Sequence, residues 1–417
     1  MTQFCVRVIL SAILGLVSAA GALAAERSAT RAADPAAQMV ATASDARLGG
    51  DEHRTRFIVD LSSHVEFFAF TLADPYRVVI DMPQVAFRMP AKTGQAGRGL
   101  VKAFRYGLVM PGGSRIVIDA AGPVRIDKAF VLEPVDGQPA RLVVDLVSVD
   151  RETFLRNLAS QQKPPKPSSA HAQAAQDATD ASNDMRPVVV IDPGHGGLDA
   201  GTTAPGGEME KAIVLDFASL LKERLERTEK FRVVMTRSDD SFIPLGERVR
   251  IARNAKAALF ISIHADAIAR RDADTRGATV YTLSDRATDA EAARLADSEN
   301  KADAIAGVDL SVEPDEIADI LIDLAQRETK TFSGRFARTL VKELKSAARL
   351  HKRPMRSAGF KVLKAPDVPS VLLELGYVSS EHDLKLMMSD AWRNKVVDSM
   401  VQAVSTVFST KVAGAGN

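Results

Sequence analysis

Four consecutive β-branched apolar residues, Val188-Val189-Val190-Ile191, stop abruptly at Asp192-Pro193-Gly194-His195-Gly196-Gly197. A run without polar alternation suits a strand covered on both faces, and such strands belong to sheets flanked by helices. The rest of the C-terminal half reads the same way. Strand patterns at 231–236, 259–263, 277–283, 360–363 and 370–373 alternate with helical patterns at 212–229, 245–257 and from about 286 to 350. The fold class is α/β, a mainly parallel sheet flanked by helices. Ligands in such sheets collect at the carboxyl ends of strands. His195 stands there, in a turn whose glycines let the backbone approach a partner closely.

The N-terminal half has a different texture. Arg56-Phe57-Ile58-Val59-Asp60-Leu61, Glu66-Phe67-Phe68-Ala69-Phe70, Arg77-Val78-Val79-Ile80-Asp81, Arg115-Ile116-Val117-Ile118-Asp119 and Arg141-Leu142-Val143-Val144-Asp145-Leu146 alternate as strands. Gly, Pro and Asp punctuate them at short intervals, which predicts a small all-β sandwich over 51–150. The recurring Arg-Val-Val-Ile-Asp flavour hints at internal symmetry. Before it, Arg7 precedes the apolar stretch Val8–Val17, too short to span a bilayer, and Ala22-Leu23-Ala24 fits a cleavage site. Residues 1–24 therefore read as a signal peptide, 25–50 as a disordered lead-in, 151–186 as a Pro-, Ala- and Ser-rich linker, and 187–410 as the second domain.

The chain has 417 residues and a formal net charge of +1, a balance that argues against capture of nucleic acid. Its one cysteine, Cys5, lies inside the signal peptide. The mature chain then has no disulfide, no thiolate metal ligand and no cysteine nucleophile. Any metal must be held by histidine and carboxylate. No later segment is long and apolar enough for a membrane span in the mature protein.

A second histidine strengthens the first. Leu259-Phe260-Ile261-Ser262-Ile263 runs straight into His264, so two histidines at the ends of two parallel strands can converge. Two imidazoles, one carboxylate and an open fourth position compose a catalytic zinc site. The carboxylate candidates are Glu208, Glu210, Asp266 and Glu374. Glu374 follows the apolar strand Val371-Leu372-Leu373, where a carboxylate beside a metal can carry a proton from water to a leaving amine.

Together, Ile191-Asp192-Pro193-Gly194-His195-Gly196-Gly197, Glu210-Lys211, Ser262-Ile263-His264-Ala265-Asp266 and Leu373-Glu374-Leu375-Gly376-Tyr377-Val378-Ser379 resemble the zinc-dependent N-acetylmuramoyl-L-alanine amidases of the amidase-3 type. The β domain resembles the AMIN module, and the pairing looks like the periplasmic division amidases. The resemblance implies Zn2+ held by His195, Glu210 and His264, with Glu374 as catalytic residue and peptidoglycan as substrate. Glu208 and Asp266 then become supporting or solvent groups. It also implies an inhibitory helix in the 286–329 insertion, released by a periplasmic activator of LytM type. Glu299 is the first choice for the residue that plugs the zinc, and Asp303, four positions on and on the same helical face, the second. The alternatives are another peptidoglycan metallopeptidase and a non-catalytic wall-binding regulator.

Overall fold

Backbone pairing across long sequence separations organises both halves. The computed structural model describes residues 40–109, 112–135, 137–161, 184–267, 276–308 and 320–414. The expected signal peptide and most of the expected linker lie outside the described residues. Up to residue 148 the described elements are strands: β1 (Ala41–Gly50), β2 (Arg54–Leu61), β3 (Phe68–Leu72), β4 (Arg77–Pro83), β5 (Val85–Phe87), β6 (Val101–Val109), β7 (Gly113–Ala120), β8 (Val124–Leu132) and β9 (Ala140–Ser148). They form two layers, β5-β1-β2-β9-β8 and β6-β7-β4-β3, with β12 (Ser241–Phe242) from the second half added parallel to β6. Inward residues of both sheets, such as Phe57, Val59 and Leu61 facing Val78, Ile80, Ile116 and Ile118, share one core.

Two sequence expectations are corrected here. Residues 41–50, read as a disordered lead-in, form β1, which pairs antiparallel with β2 from Ala43↔Leu61 to Gly50↔Thr55. The stretch is polar because only one of its faces meets the core. Residues 151–160, read as linker, form helix α1 (Arg151–Ser160). Asp150 caps it by accepting from Thr153 N at 2.8 Å, and Phe154 buries its ring edge-on against Tyr76, 4.9 Å between centroids.

The hint of internal symmetry acquires a geometry. Each Arg-x-x-x-Asp strand lies antiparallel to another, in registers that set Arg56 opposite Asp145 and Asp60 opposite Arg141 in one sheet. Arg77 lies opposite Asp119, and Asp81 opposite Arg115, in the other. Positions i and i+4 of a strand share a face, so both ends of each motif stand opposite the other charge, and Arg56–Asp145 and Arg115–Asp81 close as ion pairs at 2.6 and 2.5 Å.

The second half follows in the order β10 (Val188–Pro193), α2 (Glu210–Glu226), β11 (Arg232–Met235), β12, α3 (Leu245–Asn254), β13 (Leu259–His264), β14 (Ala278–Leu283), α4 (Ala290–Glu299), α5 (Ala302–Ile305), α6 (Ile320–Leu344), β15 (Leu350–Ala358), β16 (Ser370–Glu374), α7 (Glu381–Met387) and α8 (Asp390–Gly414). Its six-stranded sheet has the order β11-β10-β13-β16-β14-β15, parallel except between β14 and β16. One face packs on α2, α6 and α8, and the other on α3 and α4. The central run Val188–Ile191 is buried on both faces, as its apolar pattern requires.

Here too the pattern misled in places. The helical reading up to 350 hid β15, whose Leu-His-Lys-Arg-Pro-Met sequence is basic and holds Pro354. An edge strand tolerates both, and the register shift against β14 absorbs the proline. Residues 360–363, read as a strand, form a 3-10 turn (Lys361–Leu363) instead, with Phe360 packed on Tyr281 at 5.3 Å.

Candidate metal centre

Parallel pairing brings the site together. Strands β10, β13 and β16 lie side by side, with Pro193 opposite Ile263 and His264 opposite Glu374. His195 therefore stands two residues beyond one strand, beside a strand ending in His264 and another ending in Glu374. Glu210 opens α2 behind them and is fully buried. Its Oε1 lies 3.1 Å from His195 Nε2 and 3.5 Å from His264 Nδ1. Among the described residues, His195, Glu210 and His264 form the group with metal-ligating potential, their ligand atoms all within 4.8 Å of one another.

The group fits a divalent metal. His195 Nε2 and His264 Nδ1 are buried and have no hydrogen-bond partner, which is costly for polar atoms unless something else fills their lone pairs. The separations from Glu210 Oε1 match the ~3.3 Å that ligand bonds of about 2.0 Å at tetrahedral angles require. Close packing leaves no room for a side chain at Gly194 or Gly201. A Cβ on Gly194 would sit 2.4 Å from His264 Cε1, and one on Gly201 (φ +63°) would sit 2.7 Å from both Glu210 Oε2 and His195 Cδ2.

Each ligand is oriented from behind. Asp199 Oδ2 lies 2.8 Å from His195 Nδ1, so with the proton on Nδ1 the Nε2 lone pair faces Glu210. Glu210 Oε2 accepts from Thr202 N at 2.9 Å, and its Oε1 accepts from Ala265 N at 2.7 Å. The aspartate near the end of β10 has a different task. Asp192 Oδ1 accepts from Thr236 Oγ1 at 2.6 Å and Arg248 Nη1 at 2.7 Å, and Oδ2 from Ser262 Oγ at 2.7 Å. Burial works against its charge, but Arg248 and the two hydroxyls keep its pKa below the ordinary carboxylate value. Arg248 also donates to the carbonyls of Pro193 and His195, and Arg237 to those of Pro193 and Gly194. Two buried arginines thus hold the loop in which His195 adopts a φ of 60°. Sequence reasoning missed Asp199, Arg237 and Arg248. The available signal for Arg248 was a charge on the inward face of α3, one turn before the buried Ala252.

Glu374 is fully buried, with Oε2 accepting from Asp266 N at 3.1 Å and Oε1 unpartnered. Burial pushes its carboxyl well above the ordinary range, and the charges of Glu210, Asp266 and Glu299 push the same way. Asp266 accepts from Thr202 Oγ1 at 2.8 Å, while Glu208 is half-buried outside the metal-ligating group.

Glu299, the last residue of α4, reaches in from the insertion. Its Oε2 lies 3.2 Å from His264 Nδ1 and 3.6 Å from His195 Nε2. Burial pushes it up to about 7, against the pull of His264 and His195. Helix α4 is fastened at both ends. Asp289 caps its start, Glu291 meets Arg356 at 3.0 Å, and Asn300 exchanges hydrogen bonds with Gly359 O and Lys361 N. Asp303 Oδ1 accepts from Leu245 N at 2.8 Å, at the start of α3.

A buried two-histidine, one-carboxylate group at the carboxyl edge of a parallel sheet, with an acid beside it, defines a metal-dependent hydrolase domain. Residues 189–406 match the Amidase_3 family, N-acetylmuramoyl-L-alanine amidase, and residues 45–146 match the AMIN domain. The chain is 34% identical to the N-acetylmuramoyl-L-alanine amidase AmiC of Neisseria meningitidis, over 89% of this chain and 91% of that protein. It is 32% identical to the amidase AmiC of Escherichia coli, over 85% and 87% respectively. The amidase AmiA of Escherichia coli is 38% identical over 53% of this chain and 76% of its own length. The chain belongs to the N-acetylmuramoyl-L-alanine amidase family, in the AMIN-bearing arrangement.

Proposed function

We propose that this enzyme hydrolyses the amide between N-acetylmuramic acid and L-alanine in peptidoglycan, outside the cytoplasm, to split the septal wall and separate daughter cells. The observation that carries the metal chemistry is the pair of unpartnered imidazole nitrogens facing Glu210 across a buried site. His195, Glu210 and His264 hold a zinc ion, which when bound polarises the substrate carbonyl and lowers the pKa of water. Glu374 takes the proton from the attacking water and delivers it to the departing L-alanine nitrogen as the C–N bond breaks. The AMIN domain holds the enzyme on the wall and raises the local substrate concentration. No helix among the described residues is long and apolar enough to cross a membrane.

Purified Glu299→Ala enzyme should release intact stem peptides from sacculi, with mass analysis showing a free L-alanine amino terminus. Chelation should abolish release and zinc should restore it. Fragments cut within the stem would replace this reading with a peptidase.

Glu299, poised between the two histidines, supports an autoinhibited resting state in which its carboxylate takes the position that substrate and water need. An activator of LytM type would open the site by binding the open state better than the closed one. A hundredfold rise needs roughly 2.7 kcal/mol of differential affinity. Glu299→Ala should accordingly raise basal sacculus hydrolysis without lowering zinc content. Asp303→Ala should act less, since that carboxylate serves Leu245 N. If Glu299→Ala leaves basal hydrolysis at the parent level, the plug assignment fails.

A further inference from the structure

The two sheets of the AMIN domain carry matching arginine–aspartate ladders, but they are used differently. On the β4–β7–β6 face, Arg77 Nη1 donates to Ala304 O at 2.5 Å and Arg105 Nε to Ile305 O at 2.6 Å. Arg115 Nη1 donates to Ala306 O at 3.1 Å and Gly307 O at 3.0 Å. Three arginines from adjacent strands thus engage four consecutive carbonyls at the end of α5. The last carbonyls of a helix are the ones left needing donors.

The aspartates of the ladder aim two of these arginines, Arg105 and Arg115. Asp81 takes Nε and Nη2 of Arg115, which leaves Nη1 for the turn, and Asp119 takes Nη2 of Arg105, whose Nε serves the turn. Gly307 completes the fit, since a Cβ there would lie 2.9 Å from Val117 Cγ2 and 3.0 Å from Val79 Cγ2, at a φ of +66°. Ala302 and Ala306 pack with Leu198 and Phe242, and Val109 of β6 packs against that group. On the opposite sheet the equivalent Arg56 pairs with Asp145 and keeps 52% of its side chain exposed, against 13% for Arg115.

We propose that this face of the AMIN domain is the docking surface of the 304–307 turn, and that it serves as an inhibitory latch. The turn lies five residues past Glu299, joined to α4 by backbone hydrogen bonds from Asn300 N to Ala296 O and from Ile305 N to Lys301 O. Holding the turn therefore holds Glu299 at the histidines, and the metal site opens when the sheet releases it. The inference rests on the Glu299 reading and adds a second domain to it. Any ligand that occupies this face in place of the turn favours the open enzyme.

The test uses the full chain. Arg105→Gln combined with Arg115→Gln weakens the latch from the sheet side, and Gly307→Val pushes the turn away from the other. Arg56→Gln is the matched control on the opposite sheet. Hydrogen exchange of peptides covering 299–308 and basal sacculus hydrolysis should both rise roughly tenfold in the latch variants. Both should stay at parent levels in Arg56→Gln. Unchanged exchange and hydrolysis in both latch variants would overturn the latch, as would an equal response from Arg56→Gln. If Glu299→Ala activates while the latch variants do not, the latch fails and the plug stands. Faster exchange with hydrolysis unmoved, in the latch variants and in Glu299→Ala alike, overturns the inhibitory sense of both.

Discussion

Replacing Glu374 with glutamine should leave zinc content unchanged while stem-peptide release falls by roughly two to four orders of magnitude. The substitution keeps size and shape but removes the group that can accept and return a proton. The drop should appear in kcat, because Glu374 is not one of the three groups around the paired imidazole nitrogens. Its surroundings suit the role. Burial, with the charges of Glu210, Asp266 and Glu299, holds this carboxyl well above the ordinary carboxylate range, the direction that suits a group handing a proton to a leaving amine. The comparison belongs in a Glu299→Ala background, where the site is open. Parent-level release from the Gln variant would remove Glu374 from the mechanism.

The second large effect is on stability. Arg248→Met should destabilise the catalytic domain by about 3–5 kcal/mol, because it strips the one arginine from a carboxylate that has no exposure. Thr236 and Ser262 would still donate to Asp192, but the charge would lie buried and unpaired. The carbonyls of Pro193 and His195 would lose a donor in the same step. For a domain of this size the loss should lower Tm by roughly 6–20 °C. Adding Asp192→Asn should recover part of it, since the second change removes the orphaned charge. A loss below about 1 kcal/mol in the single variant would show that Asp192 is neutral or that solvent reaches it. Arg237 offers limited compensation, since its donors already serve the carbonyls of Pro193, Gly194, Lys211 and Asp239.

The convergence of the candidate site residues was legible because they are attached to strong local signals. His195, His264 and Glu374 each terminate or follow an apolar run, and parallel strands of one sheet must end on the same side. Glu210 was harder, since four carboxylates competed and only the family motif selected it. The β domain was legible as a class, from period-two alternation, but its first strand was not. Residues 41–50 are largely polar and become a strand because β2 offers a partner edge. β15 escaped for the opposite reason, since charges and a proline are tolerated where one edge has no neighbour.

What the chain determined by itself was therefore the periodicity of each element and the residue types at the strand ends. What tertiary structure alone decided was partnership. Asp199 behind His195, Arg248 beneath Asp192, Glu299 rather than Asp303 beside the histidines, and three AMIN arginines on the 304–307 turn are all choices among similar side chains. Local sequence tells which face a residue occupies. A charged side chain finds its partner through strand register and packing across tens to hundreds of residues, and those distances leave no periodic trace in the sequence.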